Sequence, residues 1–390
     1  MANQGVDQET FDQFISQLKR YVRERLVPAE EHAVALDRVP DDIADEMRDM
    51  GLFGVTIPEE YGGSGFNVSQ YVKFIQELSW ALPAFRSILS MNVGMTASAL
   101  VSSGTNIQKN YWLPKLASGE MVACFGLSEP DSGSDAAALT TRAVADGDGY
   151  VLNGVKRYIS NAPIADMGMI MARTSQDNLP KNTHVSAFLI DFDAPGLTVG
   201  KPDKKMGQSG SQIADIILED VRVPKEALLS GVEGTGFSSA MGSINNGRLS
   251  VAAASVGYAK RMLDYALGYA TERKAFGTTI SDFQLIQSML ADSKAEIYAA
   301  EAMIKDASAR ADQGENIIMD AASAKMFASE ICGRVADRVV QILGGAGYLQ
   351  EYLAERFYRD CRVYRIYEGT TQILQLAIAK RMIREHQAGA

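Results

Sequence analysis

The stretch Arg365-Ile366-Tyr367-Glu368-Gly369-Thr370-Thr371-Gln372-Ile373 holds the strongest candidate in the chain for acid–base chemistry. Thr370 is an N-cap residue type, and Ile373, Leu374, Ala377 and Ile378 follow at helical spacing toward the basic Lys380-Arg381, so a last helix starts there. Glu368 then stands on a short turn just outside a helix N-terminus, on backbone that Gly369 allows to bend sharply. Tyr364, Ile366 and Tyr367 would strip water from its carboxylate, raising its pKa and making it a stronger base toward a carbon acid. The same residue also reads as a plain N-terminal glutamate favoured by the helix dipole.

Three more stretches carry groups that hold anions or polar rings. Phe125-Gly126-Leu127-Ser128-Glu129-Pro130-Asp131-Ser132-Gly133-Ser134-Asp135 offers N–H groups and hydroxyls to a heteroring or phosphate, and equally suits a linking turn. Gly344-Gly345-Ala346-Gly347 follows a helical pattern rather than a strand, so the dinucleotide fingerprint does not apply. Arg273-Lys274-Ala275-Phe276-Gly277 ends a helix with two cations, as the dipole favours, and could take a pyrophosphate. Metal chemistry is not expected. His32, His184 and His386 are scattered, no Cys/His spacing resembles a zinc site, and Asp146-Gly147-Asp148-Gly149 lacks the remaining ligands of a calcium loop and reads as a turn.

Three segments must position these groups. Residues 1–121 read as an N-terminal α-helical domain: Phe14, Ile15, Leu18, Tyr21 and Val22 form one amphipathic face, Gly51 caps a helix over 43–50, and 71–80, 85–102 and 108–116 continue the pattern. Over 122–232 the period becomes extended, which predicts a middle β-barrel or sandwich domain with Asn153-Gly154 as a two-residue hairpin turn. Over 233–390 the helical period returns, with long helices at 237–272, 281–311 and 317–343 and then the last helix, a C-terminal four-helix bundle domain. Ala252-Ala253-Ala254-Ser255 and Gly257 would let a neighbour or a flat ligand approach the first of these. The α+β multidomain order has no βαβ alternation, which argues against a Rossmann domain.

At 390 residues the chain can bury a large core. Lys+Arg 38 against Asp+Glu 48 gives a net charge of -10 spread along the chain, which disfavours a nucleic-acid or anionic-membrane surface. Cys124, Cys332 and Cys361 are odd in number and far apart, fitting a reducing compartment without a disulfide framework. No targeting pattern opens the chain, and the longest apolar run, 251–259, is too short to span a bilayer, so a cytoplasmic protein is expected, or a mitochondrial matrix one if eukaryotic and processed.

Taken jointly, the loop 127–135, Tyr158-Ile159-Ser160-Asn161, Arg273-Lys274-Ala275-Phe276-Gly277, Gln341-Ile342-Leu343-Gly344-Gly345 and Tyr367-Glu368-Gly369-Thr370 resemble, in order and spacing, the acyl-CoA dehydrogenase family over nearly the whole chain, including its short-chain and glutaryl-CoA members. The resemblance implies that Glu368 is the catalytic base and FAD the cofactor. Phe125, Leu127, Ser128, Gly133, Ser134, Tyr158, Ile159 and Ser160, with Thr370 and Gln372, would surround the flavin. Arg273, Phe276, Phe283, Gln284, Gln341, Gly344 and Gly345 would reach the FAD of a neighbouring subunit, which implies a homo-oligomer, in this family usually a tetramer. Ser134, Asn245, Arg248, Tyr364 and Gly369 match positions near the acyl-CoA. The Glu368 N–H and a ribityl hydroxyl would hold the thioester carbonyl while Glu368 removes the α-proton and hydride leaves the β-carbon. An electron-transfer flavoprotein is the expected acceptor.

Some relatives carry the base on the first bundle helix, where this chain has Gly247. Asp131-Ser132 and Ser209 also differ from common family residues. Arg86-Ser87, in Pro83-Ala84-Phe85-Arg86-Ser87, is similar to the pair that reads the distal carboxylate in glutaryl-CoA dehydrogenases. A pocket-facing Arg86 predicts a dicarboxylic acyl group, whereas a solvated one is merely first-turn arginine. Two alternatives share the fold: an oxidase or decarboxylating variant, told apart by peroxide or carbon dioxide, and a flavin-containing nucleic-acid-associated protein, which the acidic balance opposes.

Overall fold

The computed structural model describes residues 4–174 and 184–389. Helix α1 (Gln8–Tyr21) is capped by the Asp7 carboxylate, which accepts from the Thr10 N–H at 3.0 Å, and runs through a π-turn into α2 (Val27–Leu36). Next come α3 (Asp41–Asp49), α4 (Val68–Leu78), α5 (Pro83–Ser87), α6 (Met95–Ser103) and α7 (Asn106–Ser118). The single helix expected over 85–102 is two, because the backbone folds back at Gly94, where a Cβ would stand 2.3 Å from the Ser90 carbonyl oxygen. That break turns Arg86 and Ser87 inward, leaving each 6% exposed.

The middle segment is a curled seven-stranded sheet: β1 (Ala123–Gly126), β2 (Arg142–Asp146), β3 (Gly149–Ser160), β4 (Met167–Arg173), β5 (Val185–Asp191), β6 (Leu197–Val199) and β7 (Ile213–Pro224). Its spatial order is β1-β4-β2-β3-β7-β6, with β5 also paired to β4. Asn153-Gly154 is not the hairpin turn its residue types suggest. β3 runs straight through it, and the turn lies at Gly147-Asp148, between β2 and β3. Gly154 instead marks a slip in the β3–β7 ladder where Thr141 crosses, 2.8 Å from Cα to any added Cβ, and Asn153 exchanges hydrogen bonds with Asp220 at 3.0 and 2.9 Å.

Helices α8 (Gly236–Glu272), α9 (Gln284–Asp312) and α10 (Ile318–Leu343) pack together, α11 (Leu353–Cys361) crosses them, and α12 (Thr371–Gly389) closes the bundle against α10. The small residues of α8 admit α4, and a Cβ on Gly257 would meet the Gln76 carbonyl oxygen at 2.2 Å. One apolar core is therefore shared by the N-terminal helices and the bundle, holding Phe74, Phe85, Leu249, Ala252, Ile331 and Phe357. A buried ion triad fastens the same elements: Glu30 of α2 accepts from Arg261 of α8 at 2.8 Å and from Arg356 of α11 at 3.0 Å.

Candidate active site

Glu368 sits on backbone with φ +53 and is followed by Gly369 at φ +92, two successive left-handed residues that throw the carboxylate back toward the bundle. Thr370 then caps α12, its Oγ1 accepting from the Ile373 N–H at 3.3 Å. The carboxylate lies against α8 at Gly247, where an added Cβ would stand 3.1 Å from Oε2. A side chain there would crowd the carboxylate and make it shift, so the missing side chain at 247 and the acid at 368 go together.

Burial raises the Glu368 pKa above the usual glutamate value, and three cations oppose the rise: Arg248 of α8, Lys325 of α10 and Arg86 of α5. The group is thus a strengthened base that stays within reach of ionisation. Burial dominates the neighbours too. It lowers Arg248, brings Lys325 to about 8, and raises the phenols of Tyr71 and Tyr367, so both tyrosines stay neutral.

Arg86 is not the solvated arginine of a first helical turn. Its Nη2 donates to the Tyr367 hydroxyl at 3.2 Å, and its buried Nε has no partner among the described residues. The Nε of Arg248 is likewise unpartnered, and its Nη1 reaches Asn245 Oδ1 only at 3.5 Å. A buried cation without an acid is costly, and neither arginine has a carboxylate partner within ion-pair distance among the described residues. Ser87 is fixed by Ser211 through a 2.6 Å hydroxyl pair, and Asn161 donates to the Ser87 and Ile88 carbonyls at 3.2 and 3.0 Å, tying α5 to the end of β3.

Tyr364, expected near the acyl-CoA, is completely enclosed and stacks on Tyr367, ring centroids 5.9 Å apart, so of the two rings only Tyr367 keeps exposed surface.

The loop 125–135 and the end of β3 form one surface, because the Arg157 N–H donates to the Ser128 carbonyl at 2.8 Å. Beneath it Lys156 and Glu129 make an enclosed ion pair at 2.7 Å. Lys156 also donates to Leu127 O at 3.3 Å, and Glu129 accepts from the Thr140 and Thr141 N–H groups at 2.6 and 2.9 Å. Burial pushes Glu129 up, but Lys156 and these hydrogen bonds hold it at about 2. On this foundation Phe125, Leu127, Ser128 and Ser160 are half-buried, Gly133 and Ser134 are exposed, and Ile159 points into the sheet. Tyr158, at φ +61, is turned outward.

Arg273, Phe276, Gln284, Gln341, Gly344 and Gly345 lie elsewhere, exposed where α8 and α10 end and α9 begins. Phe276 packs edge-on to Phe283 and is otherwise bare, 98% exposed. From Gly247 to Arg273 is 26 residues of α8, about 39 Å at 1.5 Å per residue. One chain therefore presents the two groups far apart along its bundle.

The comparisons with known proteins agree with this architecture. Family models described as the acyl-CoA dehydrogenase N-terminal, middle and C-terminal domains match residues 8–120, 124–221 and 234–383. The chain belongs to the acyl-CoA dehydrogenase family, and it is an oxidoreductase and an FAD flavoprotein. It is 42% identical to the caffeyl-CoA reductase-Etf complex subunit CarC of Acetobacterium woodii, covering 89% of this chain and 90% of that one. It is 37% identical to the human mitochondrial short-chain specific acyl-CoA dehydrogenase, covering 97% and 92%. A glutaryl-coenzyme A dehydrogenase solved with glutaryl-CoA superposes with a TM-score of 0.92 at 35% identity, covering 97% and 96%.

The residues fit that cofactor. The braced 125–135 loop and β3 end form a shelf of half-buried apolar groups beside open N–H groups and hydroxyls, the donor set a flat polar heteroring takes. Among the described residues no group of His, Cys, Asp and Glu could hold a metal ion, and no helix is long and apolar enough to cross a membrane.

Sequence reasoning missed Lys325, Tyr71 and the Glu129–Lys156 brace. Lys325 had a signal: it falls on the same α10 face as Ala321, Ala328 and Cys332, a cation in phase with an apolar stripe.

Proposed function

We propose that the chain catalyses α,β-dehydrogenation of an acyl-CoA thioester to the trans-2-enoyl-CoA, with Glu368 as the base that removes the α-proton and a short or dicarboxylic acyl group as substrate. The observation that carries this reading is the half-buried Glu368 carboxylate, raised in pKa, set against bare Gly247 and flanked by three cations. Bound FAD supplies the hydride acceptor. Phe125, Leu127, Ser128, Tyr158 and Ser160 would hold it, with Thr370 and Gln372 at the start of α12.

The protein's part is to position and ionise. Among the described residues no acceptor takes the Glu368 N–H, which leaves it to hydrogen-bond a thioester carbonyl and stabilise the enolate as the α-proton leaves. Arg86 and Ser87, at the inner end, give a distal carboxylate its partners: a guanidinium with a free Nε and a hydroxyl. Asn245 and Arg248 flank the approach to Glu368 along α8, and Ser134 and Gly369 offer polar contacts to the thioester chain.

Arg273, Phe276, Phe283, Gln284, Gln341, Gly344 and Gly345, far from this site along α8, would complete the cofactor site of a second subunit in a homotetramer. An electron-transfer flavoprotein is the proposed acceptor, supported by the complex in which the Acetobacterium woodii relative is named. Anaerobic mixing with a panel of acyl-CoAs tests the reading: the oxidised flavin band should bleach with glutaryl-CoA or butyryl-CoA. A flavin that no acyl-CoA bleaches refutes it. Carbon dioxide release would distinguish a decarboxylating reaction.

A further inference from the structure

Lys325 is a lysine where the helix pattern calls for an apolar residue. It is fully buried on α10, and it forms no ion pair among the described residues. Its one acceptor among the described residues is the Gly369 carbonyl, to which Nζ donates at 2.6 Å. That carbonyl belongs to the second of the two left-handed residues that aim Glu368. Five residues along the same helix, Glu330 takes hold of the flanks of the turn: it accepts from Thr371 Oγ1 at 2.7 Å and from Arg365 Nη1 at 3.3 Å. Arg365 in turn lies flat on Gly333, where an added Cβ would stand 2.8 Å from Nη2. Three residues of α10 thus hold the turn before, at and after Glu368.

Burying an ammonium is costly, and a neutral donor would serve the Gly369 carbonyl at less cost. The charge therefore calls for an explanation of its own, and the neighbouring acid is Glu368. We propose that Lys325 is a positioning residue for the base: it tethers the Glu368-Gly369 turn through the Gly369 carbonyl and supplies a cation that favours the carboxylate form of Glu368. This rests on the reading of Glu368 as the base. The groups facing Glu368 are Arg248 from α8, Lys325 from α10, Arg86 from α5, Tyr71 from α4 and its own neighbour Tyr367. Of these, Arg86 and Arg248 each have a buried nitrogen without a partner among the described residues, whereas Lys325 is committed to the turn.

Three variants of the flavin-loaded enzyme separate tether from charge. Lys325→Met removes both, Lys325→Gln keeps a donor without charge, and Lys325→Arg keeps charge in a different geometry. The readout is kcat/KM against pH for the acyl-CoA the enzyme bleaches best, with the flavin absorbance ratio as the check that each variant is loaded. Activity requires ionised Glu368, so kcat/KM rises with pH through the pKa of that group. Losing a nearby cation raises this pKa further, moving the acid limb of Lys325→Met and Lys325→Gln upward by roughly one to two pH units. Lys325→Arg should keep the limb in place while lowering the plateau. A purely structural lysine would lower the plateau without moving any limb, and that result overturns the proposal. Glu368→Gln serves as the control: if it abolishes turnover while the limb stays fixed in the Lys325 variants, the base stands and the Lys325 proposal falls. If Glu368→Gln turns over normally, both fall.

Discussion

Replacing Arg86 with alanine tests whether the buried guanidinium reads an acid on the substrate. In the structure this side chain is 6% exposed, spends one nitrogen on a neutral tyrosine hydroxyl and leaves Nε without a partner. If a distal carboxylate completes it, the alanine variant leaves that carboxylate buried and uncompensated. Breaking a buried charge pair from one side costs about 3–5 kcal/mol. At 1.36 kcal/mol per factor of ten, kcat/KM for glutaryl-CoA should fall by roughly 150- to 5,000-fold. Butyryl-CoA has no second acid, so its kcat/KM should fall only by what losing one cation beside Glu368 costs, far less than for glutaryl-CoA. The assay is dye-linked turnover of both thioesters by wild type and variant at fixed pH. A wild type that prefers butyryl-CoA, with the ratio of the two substrates unmoved by Arg86→Ala, refutes the reasoning and leaves the guanidinium as a neighbour of Glu368 alone.

Other outcomes follow from the same geometry. Glu368→Gln should lower single-turnover flavin bleaching by at least about 10²-fold, the lower end of what a positioned base contributes. Because the folded-state pKa of Glu368 is raised, its ionised form opposes folding above the ordinary value, so Glu368→Gln should also raise the Tm at pH 7–8 and leave it unchanged at pH 4. Lys156→Met strands Glu129 beneath the 125–135 loop and should cost about 3–5 kcal/mol in urea unfolding, with accelerated loss of flavin on dilution. Glu30→Gln weakens the Arg261–Glu30–Arg356 triad and the hydrogen bond Glu30 accepts from the Leu82 N–H, at 2.9 Å, just ahead of α5. It should lower stability by about 3 kcal/mol and raise the KM for glutaryl-CoA more than that for butyryl-CoA.

Much of this architecture is written in local patterns. The helix–sheet–helix order follows from periodicity, and the Glu368 turn from an N-cap threonine, a glycine and the apolar residues after them. What local pattern could not supply is contact between remote segments. Asn153-Gly154 is a hairpin dipeptide by composition, but here the strand is held straight by β7 and pinched by Thr141, and no neighbour in sequence announces either. The break between α5 and α6 depends on carbonyl crowding at Gly94. Tyr364 and Tyr367, three apart on one turn, are not distinguished by type; packing against Tyr258 encloses the first and leaves the second half-buried. The apposition of Gly247 and Glu368, 121 positions apart, exists only once α8 and the last turn are packed.

The three thiols have a practical consequence. All are free and buried, Cys124 in the sheet and Cys332 and Cys361 facing one another across α10 and α11, and burial raises Cys124 and Cys332. Alkylation needs an accessible thiolate, so in the folded enzyme each sulfur is a silent reporter that speaks only when its surroundings open. The rate at which a maleimide captures Cys124 then clocks excursions of the sheet, and capture at 332 and 361 clocks excursions of the helices that carry the Glu368 turn, giving two timers within one unmodified chain.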